Sequence, residues 1–313
     1  MKPEIIDKCL VCGSNHKKII FWGNDALEHA EGQFPLVSCV DCGFIYLGER
    51  PSSNDIANYY PNHYLSFQKA IEDEPSLIKR LERKNEREKR IRFIKKFYQG
   101  PGRILDIGCA TGVFLDGMRK VGWDVTGVET SSYAAEYARN TYKLNVHKGV
   151  LIEANFTENS FDVVTLWDVL EHVSNPVEVL HEIRRILKPG GIIVIGVPNP
   201  NAWERWIYGK SWPGWDIPRH FQLFDKQQLR VVLERCGMEW LTYKSFMGKH
   251  GTLVLAIQFW LAREKGMKLI AGPILFFARS LMARVITWPF YTLATFMNKS
   301  SYMTVVAKKM GDE

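Results

Sequence analysis

The sequence lacks any long apolar run and any export signal. Hydrophobic residues make up 46% of its 313 positions, but they fall into short segments, whereas a membrane-spanning helix needs about twenty consecutive apolar residues. Residues 1–8 are polar and lead directly to a cysteine, so they do not resemble a secretory segment. Charged residues, at 24%, beside this hydrophobic content exclude general disorder. We therefore expect a globular, cytoplasmic protein.

Cysteine is scarce, but most of the cysteines follow a pattern. Four of the six form two Cys-x-x-Cys-Gly pairs: Cys9, Cys12, Cys39 and Cys42. Four thiolates in this arrangement can close a tetrahedral zinc site, and the glycine after each pair relieves its tight turn. A disulfide framework explains the paired spacing less well and lacks an export signal. We predict structural zinc in a zinc-ribbon-like segment over residues 1–48 (the cysteine module); Cys109 and Cys236 fit small buried hydrophobes.

The most informative segment lacks the dinucleotide pattern Gly-x-Gly-x-x-Gly. A short apolar run contains Asp106 and breaks at Gly108 and Gly112, which predicts a buried strand, a tight turn and a helix start. The glycines let the backbone pass close to a ligand, and a carboxylate buried at Asp106 needs a polar or cationic partner. The next strand ends in Glu129, at the position where an acid typically holds a ribose diol.

This pattern resembles the class I S-adenosylmethionine-dependent methyltransferases, whose motif Asp-x-Gly-x-Gly-x-Gly is matched except that Ala110 replaces the middle glycine. The resemblance covers residues 103–308. It implies an α/β fold with a doubly wound, mostly parallel, seven-stranded Rossmann-like sheet, and S-adenosylmethionine as cofactor. The cofactor-binding residues that we predict are Asp106, Gly108, Cys109, Gly112, Glu129, Trp167 and Asp168.

The rest of the chain supports this organisation, because strands and helices alternate from residue 103. We predict helices over 77–98, 114–121, 133–142, 176–189 and 226–236, and strands over 125–128, 145–147, 161–167, 192–197, 239–246 and 302–308. The domains are the cysteine module, a connector and basic helix over 49–102, a methyltransferase domain over 103–248 and 301–313, and a helical insertion over 249–300. Aromatic residues of the connector, within 59–64, are predicted to roof a pocket.

Methyl transfer from a sulfonium requires alignment, exclusion of water and, for a hydroxyl acceptor, removal of a proton. Two candidate bases are His172, after the fourth strand, and His220, in an aromatic segment over residues 198–224 (the acceptor loop). Arg219 precedes His220, and we predict that it holds an anionic acceptor.

Asp168, Glu171 and His172 admit a second interpretation. Their segment resembles that of the quinone-pathway O-methyltransferases, which have a ubiquinone/menaquinone-methyltransferase-like domain and in which an acid-x-x-Glu-His sequence can hold a divalent metal beside a catechol-like acceptor. A related segment is also common in the family without metal. In that case Trp167 and Asp168 flank the cofactor and His172 supports the loop, so both interpretations stay open.

Two segments are poor in acidic residues. Residues 77–99 hold ten Lys or Arg against three Glu, and the helical insertion holds seven against one Glu. Such segments favour an anionic surface nearby, either lipid headgroups or nucleic acid. Basic residues beside aromatic ones in the insertion fit helices that lie in a membrane interface; a helical cap packed on the protein is the other interpretation.

The leading hypothesis is a cytoplasmic methyltransferase, peripheral at a membrane, that O-methylates a small-molecule, glycan or lipid-linked acceptor. Cys-x-x-Cys-Gly pairs ahead of such a domain resemble a group of sugar and small-molecule methyltransferases. The alternative is an RNA methyltransferase that grips nucleic acid with the cysteine module and the basic helix. Against it, no Asn-Pro-Pro-Tyr-type motif is present.

Overall fold

The computed structural model describes residues 3–28, 30–52, 55–61, 67–245, 250–264 and 268–311. The strands are β1 (Glu4–Ile5), β2 (Lys17–Gly23), β3 (Phe34–Cys39), β4 (Ile45–Leu47), β5 (Glu49–Arg50), β6 (Arg103–Ile107), β7 (Asp124–Glu129), β8 (Asn145–Lys148), β9 (Phe161–Trp167), β10 (Leu187–Pro198), β11 (Gln222–Leu223), β12 (Met238–Lys244) and β13 (Tyr302–Lys309). The helices are α1 (Leu77–Ile94), α2 (Val113–Lys120), α3 (Ser132–Tyr142), α4 (Pro176–Ile186), α5 (Trp203–Tyr208), α6 (Lys226–Arg235), α7 (Gly251–Arg263), α8 (Lys268–Ala278) and α9 (Leu281–Phe296).

The main sheet has seven strands in the order β12-β13-β10-β9-β6-β7-β8. The strands from β10 to β8 run parallel, and β13 lies antiparallel between β10 and β12. Every residue of the central strand β9 is buried, as expected for a parallel strand that is covered by helices on both faces. The predicted doubly wound methyltransferase sheet is confirmed.

Side chains alternate between the two faces of this sheet. Leu105 and Ile107 pack with residues of α4 and α6 on one face, whereas Ile104 packs with residues of α1 and α2 on the other. The period of two residues along a strand assigns the apolar residues of β6 to separate cores. Because β10, β9, β6, β7 and β8 run parallel, their carboxyl ends lie at one edge of the sheet. Ligands of this fold bind at that edge.

Element ends depart from prediction where glycine or proline occurs. The helix predicted to stop at Gly190 ends earlier, at Ile186, and β10 starts at Leu187. Pairing of β10 with β9 shifts register between Leu187 and Ile192, so the glycines lie in a strand irregularity instead of a helix end. The last strand before the insertion ends at Lys244; its predicted end, Phe246, lies outside the described residues.

The cysteine module forms a second sheet, with strand order β11-β4-β3-β2. Its edge strand β11 comes from the acceptor loop, where Gln222 pairs with Tyr46 and Leu223 with Ile45. Phe44, beside the cysteines, is almost fully buried against Phe224 at a ring-centroid distance of 5.0 Å. The module therefore shares strands and core with the methyltransferase domain.

The helical insertion contains α7, α8 and α9. Among the described residues, no single helix has the length and hydropathy to cross a membrane, but residues 270–278 of α8 and α9 pass the test together, with a bend of 60° between them. Pro273 and Pro289 lie inside α8 and α9, respectively.

Candidate active site

The turn between β6 and α2 has the left-handed backbone that its glycines predict. Gly108 and Gly112 have φ values of 68° and 81°, and Ala110 between them has 46°. A Cβ on Gly108 would lie 2.5 Å from Val169 Cγ2, and one on Gly112 would lie 2.5 Å from Leu144 Cδ1. Both positions therefore require glycine for conformation and for space. Ala110 tolerates the same region at a cost of about 1–2 kcal/mol.

Two buried carboxylates lie beside this turn. Asp106 Oδ1 accepts a hydrogen bond from Thr165 Oγ1 at 2.6 Å, and burial raises the pKa of Asp106 to about 7. Glu129 accepts from the backbone N–H groups of Ala110 at 2.9 Å and Ser131 at 2.8 Å. Burial raises the pKa of Glu129, and these N–H groups act in the opposite direction. A cationic ligand would favour ionised Asp106, and Glu129 keeps lone pairs that can accept from ribose hydroxyls.

A cavity of about 1080 Å³ opens at the carboxyl ends of β6, β7 and β9. This volume is slightly above the range for small-molecule sites, about 300–1,000 Å³, so it suits a cofactor together with an acceptor. The predicted cofactor residues that line it are Asp106, Gly108, Cys109, Glu129, Trp167 and Asp168. Gly112 is absent from the lining and shapes the turn from behind. From the connector, Tyr60 and Phe67 line the cavity, whereas Asn62, His63 and Tyr64 lie outside the described residues.

Helix α1 contributes three arginines to the cavity wall: Arg83, Arg87 and Arg90. The Arg90 guanidinium lies 4.7 Å from the Trp167 ring centroid, and its Nη2 is 3.6 Å from Asp168 Oδ2. Asp168 Oδ2 also accepts from the Tyr302 hydroxyl at 3.3 Å. From its sequence, α1 was predicted only as a basic helix near an anionic surface. Its arginines recur at positions i, i+4 and i+7, which is the signal that could have placed them on one face.

The rings of the two candidate bases are in edge-to-face contact. The rings of His172 and His220 have centroids 4.6 Å apart at 72°. His172 Nδ1 lies 2.9 Å from the Arg219 carbonyl oxygen and 2.8 Å from the Tyr60 hydroxyl. Since a carbonyl only accepts, Nδ1–H donates to it, and the lone pair of the neutral ring resides on Nε2. Burial, with His220 nearby, lowers the pKa of His172 to about 3.

His220 occupies a different position from His172. His172 is part of the cavity lining and His220 is not. His220 Nδ1 donates to the Gly214 carbonyl at 2.8 Å, and its Nε2 lies 4.0 Å from both Glu171 Oε1 and Asp216 Oδ2. Burial lowers the pKa of His220. The structure therefore favours His172 over His220 for contact with an acceptor.

Arg219 does not have the position that the sequence suggested. It is fully buried and absent from the cavity lining. Its guanidinium donates to Asp216 and, from Nη2 at 2.7 Å and Nη1 at 3.1 Å, to both oxygens of Asp25 in the cysteine module. Nη1 also donates to the Tyr59 carbonyl at 3.2 Å. These partners correct the predicted role as an acceptor-binding arginine to a structural one.

The residues that could hold a metal in the structure differ from the predicted set by one member, with His220 in place of Asp168. Donor atoms of Glu171, His172 and His220 all lie within 4.8 Å of one another, whereas the Asp168 carboxylate faces Tyr302 and Arg90. Both oxygens of Glu171 are buried without a hydrogen-bond partner among the described residues. Burial, with Asp168 nearby, raises the pKa of Glu171 well above its ordinary value. A divalent cation would fit this set, and so would a neutral carboxylic acid.

The four paired cysteines converge away from the cavity. Cys9 Sγ lies 3.5 Å from Cys42 Sγ, and Cys12 Sγ lies 3.5 Å from Cys39 Sγ. Tetrahedral zinc with Zn–S bonds of about 2.3 Å places sulfurs about 3.8 Å apart. In each pair the following glycine has φ of 78° or 73°, and its N–H donates to the carbonyl of the first cysteine at 2.8 or 3.0 Å. The two knuckles repeat one geometry, and their donor set fits zinc.

Comparisons with known proteins agree with this geometry. A family profile described as "Methyltransferase domain" matches residues 76–243. The chain is 36% identical over 105 residues to a ubiquinone biosynthesis O-methyltransferase of Alkalilimnicola ehrlichii, covering 32% of this chain and 42% of that protein. It is 35% identical over 151 residues to the Maricaulis maris protein of the same name, covering 44% and 58%. The chain thus spans about half the length of these curated relatives.

Among solved structures, the fold is similar to that of a SAM-dependent methyltransferase from Archaeoglobus fulgidus. The TM-score is 0.51 at 22% identity, and the match covers 72% of this chain and 94% of that one. At this identity the likeness shows the fold alone.

Proposed function

The chain belongs to the methyltransferase-domain family of S-adenosylmethionine-dependent enzymes, and we propose that it methylates a hydroxyl of a small phenolic acceptor. The observation that carries the proposal is a single cavity lined both by the two cofactor carboxylates, Asp106 and Glu129, and by a neutral histidine, His172. The relatives named as ubiquinone biosynthesis O-methyltransferases support the same reaction type.

In this proposal the donor supplies a methyl group on a cationic sulfur, whose leaving group is a neutral thioether. Glu129 accepts from the ribose hydroxyls, and Asp106 favours the cationic methionine end of the donor. Arg90 and Trp167 bound the cavity beside them. The protein therefore contributes alignment and exclusion of water, with no assistance to the leaving group.

The names of the relatives narrow the acceptor class. They are ubiquinone biosynthesis O-methyltransferases, and His172 lines the cavity of this chain. Burial lowers the pKa of His172 to about 3, so its ring is neutral near pH 7 and can accept a hydrogen bond. A phenol, with a pKa of about 10, loses its proton more readily than an alcohol, which is similar to water at about 15.7. We therefore assign the acceptor to the phenol class, with Nε2 of His172 as the atom that faces its hydroxyl.

The experiment is methyl transfer from isotope-labelled S-adenosylmethionine to phenols and catechols with and without a prenyl tail, followed by mass spectrometry of the products. We expect label on a hydroxyl oxygen, and a loss of at least about 100-fold in kcat for His172→Ala. His181→Ala, on the outer face of α4, serves as the control. Label on RNA, or on no hydroxyl compound while the donor binds, would contradict the proposal.

Zinc in the cysteine module is the second part of the proposal. The matched knuckles and the sulfur separations given above support it, and four thiolates leave no coordination position for a substrate. Its role is therefore to hold the module together.

We further propose that the helical insertion lies in a membrane interface. Helices α8 and α9 expose a row of large apolar side chains: Ile270, Phe276, Phe277, Leu281, Met282, Val285, Ile286, Trp288, Leu293 and Phe296. Phe276 and Phe296 are 82% and 85% exposed. An apolar surface this extensive marks an interaction site, and the basic composition of the insertion favours anionic lipid.

A second cavity supports the lipid proposal. It has a volume of about 440 Å³, and apart from Thr287 the side chains that line it, from α7, α8 and α9, are apolar. Thr287 Oγ1 donates to the Ala283 carbonyl at 2.8 Å, so its hydroxyl is satisfied. The insertion contacts the acceptor loop through the Tyr208 and Tyr291 hydroxyls, 2.7 Å apart. A hydrocarbon chain would suit this apolar cavity.

Flotation with anionic vesicles tests the membrane proposal. We expect the wild-type chain to float with the vesicles. The double variant Phe276→Glu, Phe296→Glu should stay in the bottom fraction of the gradient. Leu81→Glu, a change at an apolar side chain of α1 that is 67% exposed, should float like the wild type. Equal flotation of the wild type and of both variants would refute the membrane proposal and favour a helical cap or a subunit contact.

RNA methylation is the alternative. Three arginines of α1 face the cavity, but Lys79, Lys84, Lys89, Arg92, Lys95 and Lys96 are exposed. Salt-dependent RNA binding that is lost when these six are neutralised would favour it.

A further inference from the structure

A buried aspartate of the cysteine module reaches the acceptor side of the active site. Asp25 follows β2 and has no exposed surface. Its Oδ1 accepts from the backbone N–H groups of Leu27 at 3.0 Å and Glu28 at 3.1 Å. The same carboxylate accepts from Arg219 Nη2 at 2.7 Å and Nη1 at 3.1 Å. The contact joins parts of the chain that are 194 residues apart in sequence.

Arg219 is shared between two carboxylates. Its Nε lies 3.1 Å from each oxygen of Asp216, and its Nη2 lies 2.7 Å from Asp216 Oδ1. Fully buried ions persist only when they are paired and hydrogen-bonded. The bidentate contact with Asp25 holds the guanidinium in one place, because an arginine fork and a carboxylate match in geometry.

The backbone at Arg219 is in direct contact with both histidines of the site. The Arg219 carbonyl accepts from His172 Nδ1, and His220 is the next residue. Arg219 Nη1 also donates to the carbonyl of Tyr59, and the neighbouring hydroxyl of Tyr60 contacts His172 at 2.8 Å. His172 Nδ1 is therefore contacted by Arg219 itself and by Tyr60, whose preceding backbone carbonyl is bonded to the Arg219 side chain.

We propose that Asp25 is a positioning residue for the methyl-transfer reaction and that the cysteine module is a structural half of the acceptor site. The proposal rests on the proposed function, in which His172 contacts the acceptor. Asp106 and Glu129 lie on β6 and β7, and their hydrogen bonds given above involve neither Asp25 nor Arg219. Loss of Asp25 should therefore impair use of the acceptor and leave donor binding unchanged.

The test is Asp25→Asn, which keeps the size of the side chain and an oxygen for the Leu27 and Glu28 N–H groups. Arg219 stays paired with Asp216, so no unpaired charge is buried and the variant should fold. We expect kcat/KM for the acceptor to fall about 100-fold, as for a displaced catalytic group, with the Kd for S-adenosylmethionine within twofold of wild type. Asp7→Asn, at an exposed carboxylate of the same module that forms a surface pair with Lys17 at 4.0 Å, should change neither.

A double variant separates positioning from general stabilisation. If Asp25 acts through the group around His172, Asp25→Asn and Tyr60→Phe should be non-additive in kcat/KM; independent structural damage would give additive losses. If Asp25→Asn does not fold, Asp25→Glu moves the same charge by one methylene and should show the same split between donor and acceptor.

Three outcomes can be told apart. An unchanged kcat/KM in Asp25→Asn, while His172→Ala is inactive, overturns the positioning role and leaves the proposed function intact. Equal losses of donor affinity and acceptor turnover also overturn it. Absence of hydroxyl methylation by the wild-type chain rejects the proposed function itself.

Discussion

Replacing Glu129 by glutamine should weaken donor binding selectively. The carboxylate accepts from two backbone N–H groups, those of Ala110 and Ser131, and in the proposed complex it also accepts from the ribose diol. Glutamine keeps the volume and one acceptor oxygen but places an NH₂ group where the second oxygen was, so one or two charged-acceptor bonds are lost. Each such bond contributes about 1.5–3 kcal/mol.

Allowing for relaxation of the side chain, we expect a loss of about 2–3 kcal/mol of donor binding free energy, which is about a 30- to 150-fold rise in Kd. Isothermal calorimetry with S-adenosylmethionine, and with its demethylated product, measures this value. Asp124→Asn is the matched control, because Asp124 begins the same strand with an exposed side chain paired to Arg103 at 3.2 Å. A change below threefold in Glu129→Gln would refute the assignment of this acid to the ribose.

The other ionisable groups, Asp106, the paired cysteines and Glu171, give four further predictions. Because burial raises the pKa of Asp106 to about 7, its charged form is lost as pH falls through that value. Donor Kd should therefore rise about tenfold per pH unit below about pH 7, and calorimetry should find this dependence flattened in Asp106→Asn. The same raised pKa means that charged Asp106 opposes folding at higher pH, so Asp106→Asn should raise Tm more at pH 8 than at pH 6. Metal analysis should find one zinc per chain; Cys12→Ser should lose it and lower Tm, whereas Cys236→Ser should retain it. Glu171→Gln should keep most activity if Glu171 is a neutral acid, since glutamine is isosteric with that form. A strong loss together with activation of the wild-type enzyme by Mg²⁺ would instead establish the metal interpretation.

Much of the donor half of the site could be predicted because its signals are local. The turn at Gly108 and Gly112 has the positive φ values that glycine favours, and Asp106 and Glu129 lie at the carboxyl ends of strands that are consecutive along the chain. Residues on parallel strands meet at one edge of the sheet whatever else the protein contains. Gly112 was the exception, because a residue can shape a cofactor turn without lining the cavity.

The acceptor half depended on long-range contacts and was only partly predicted. His172 and His220 were named, but which of them lines the cavity follows from the packing of the acceptor loop. Arg219 was assigned to an acceptor because it precedes His220 in the acceptor loop. Of its two carboxylate partners, Asp216 is close in sequence, whereas Asp25 is 194 residues away and has no marker in the sequence. The cavity face of α1 was also missed, because the helix was judged by its net charge and not by the spacing of its arginines.

The sequence by itself determined the Rossmann-like methyltransferase sheet, the glycine turn between β6 and α2, and the two Cys-x-x-Cys-Gly motifs. These depend on hydrophobic period, glycine and short spacing, all of which act between residues close in the chain. Only the tertiary structure decided that β11 joins the sheet of the cysteine module, that Asp25 holds Arg219, and that His172 faces the cavity. Those contacts join residues that are far apart in sequence, and burial of charge and satisfaction of hydrogen bonds select them only once the whole chain has packed.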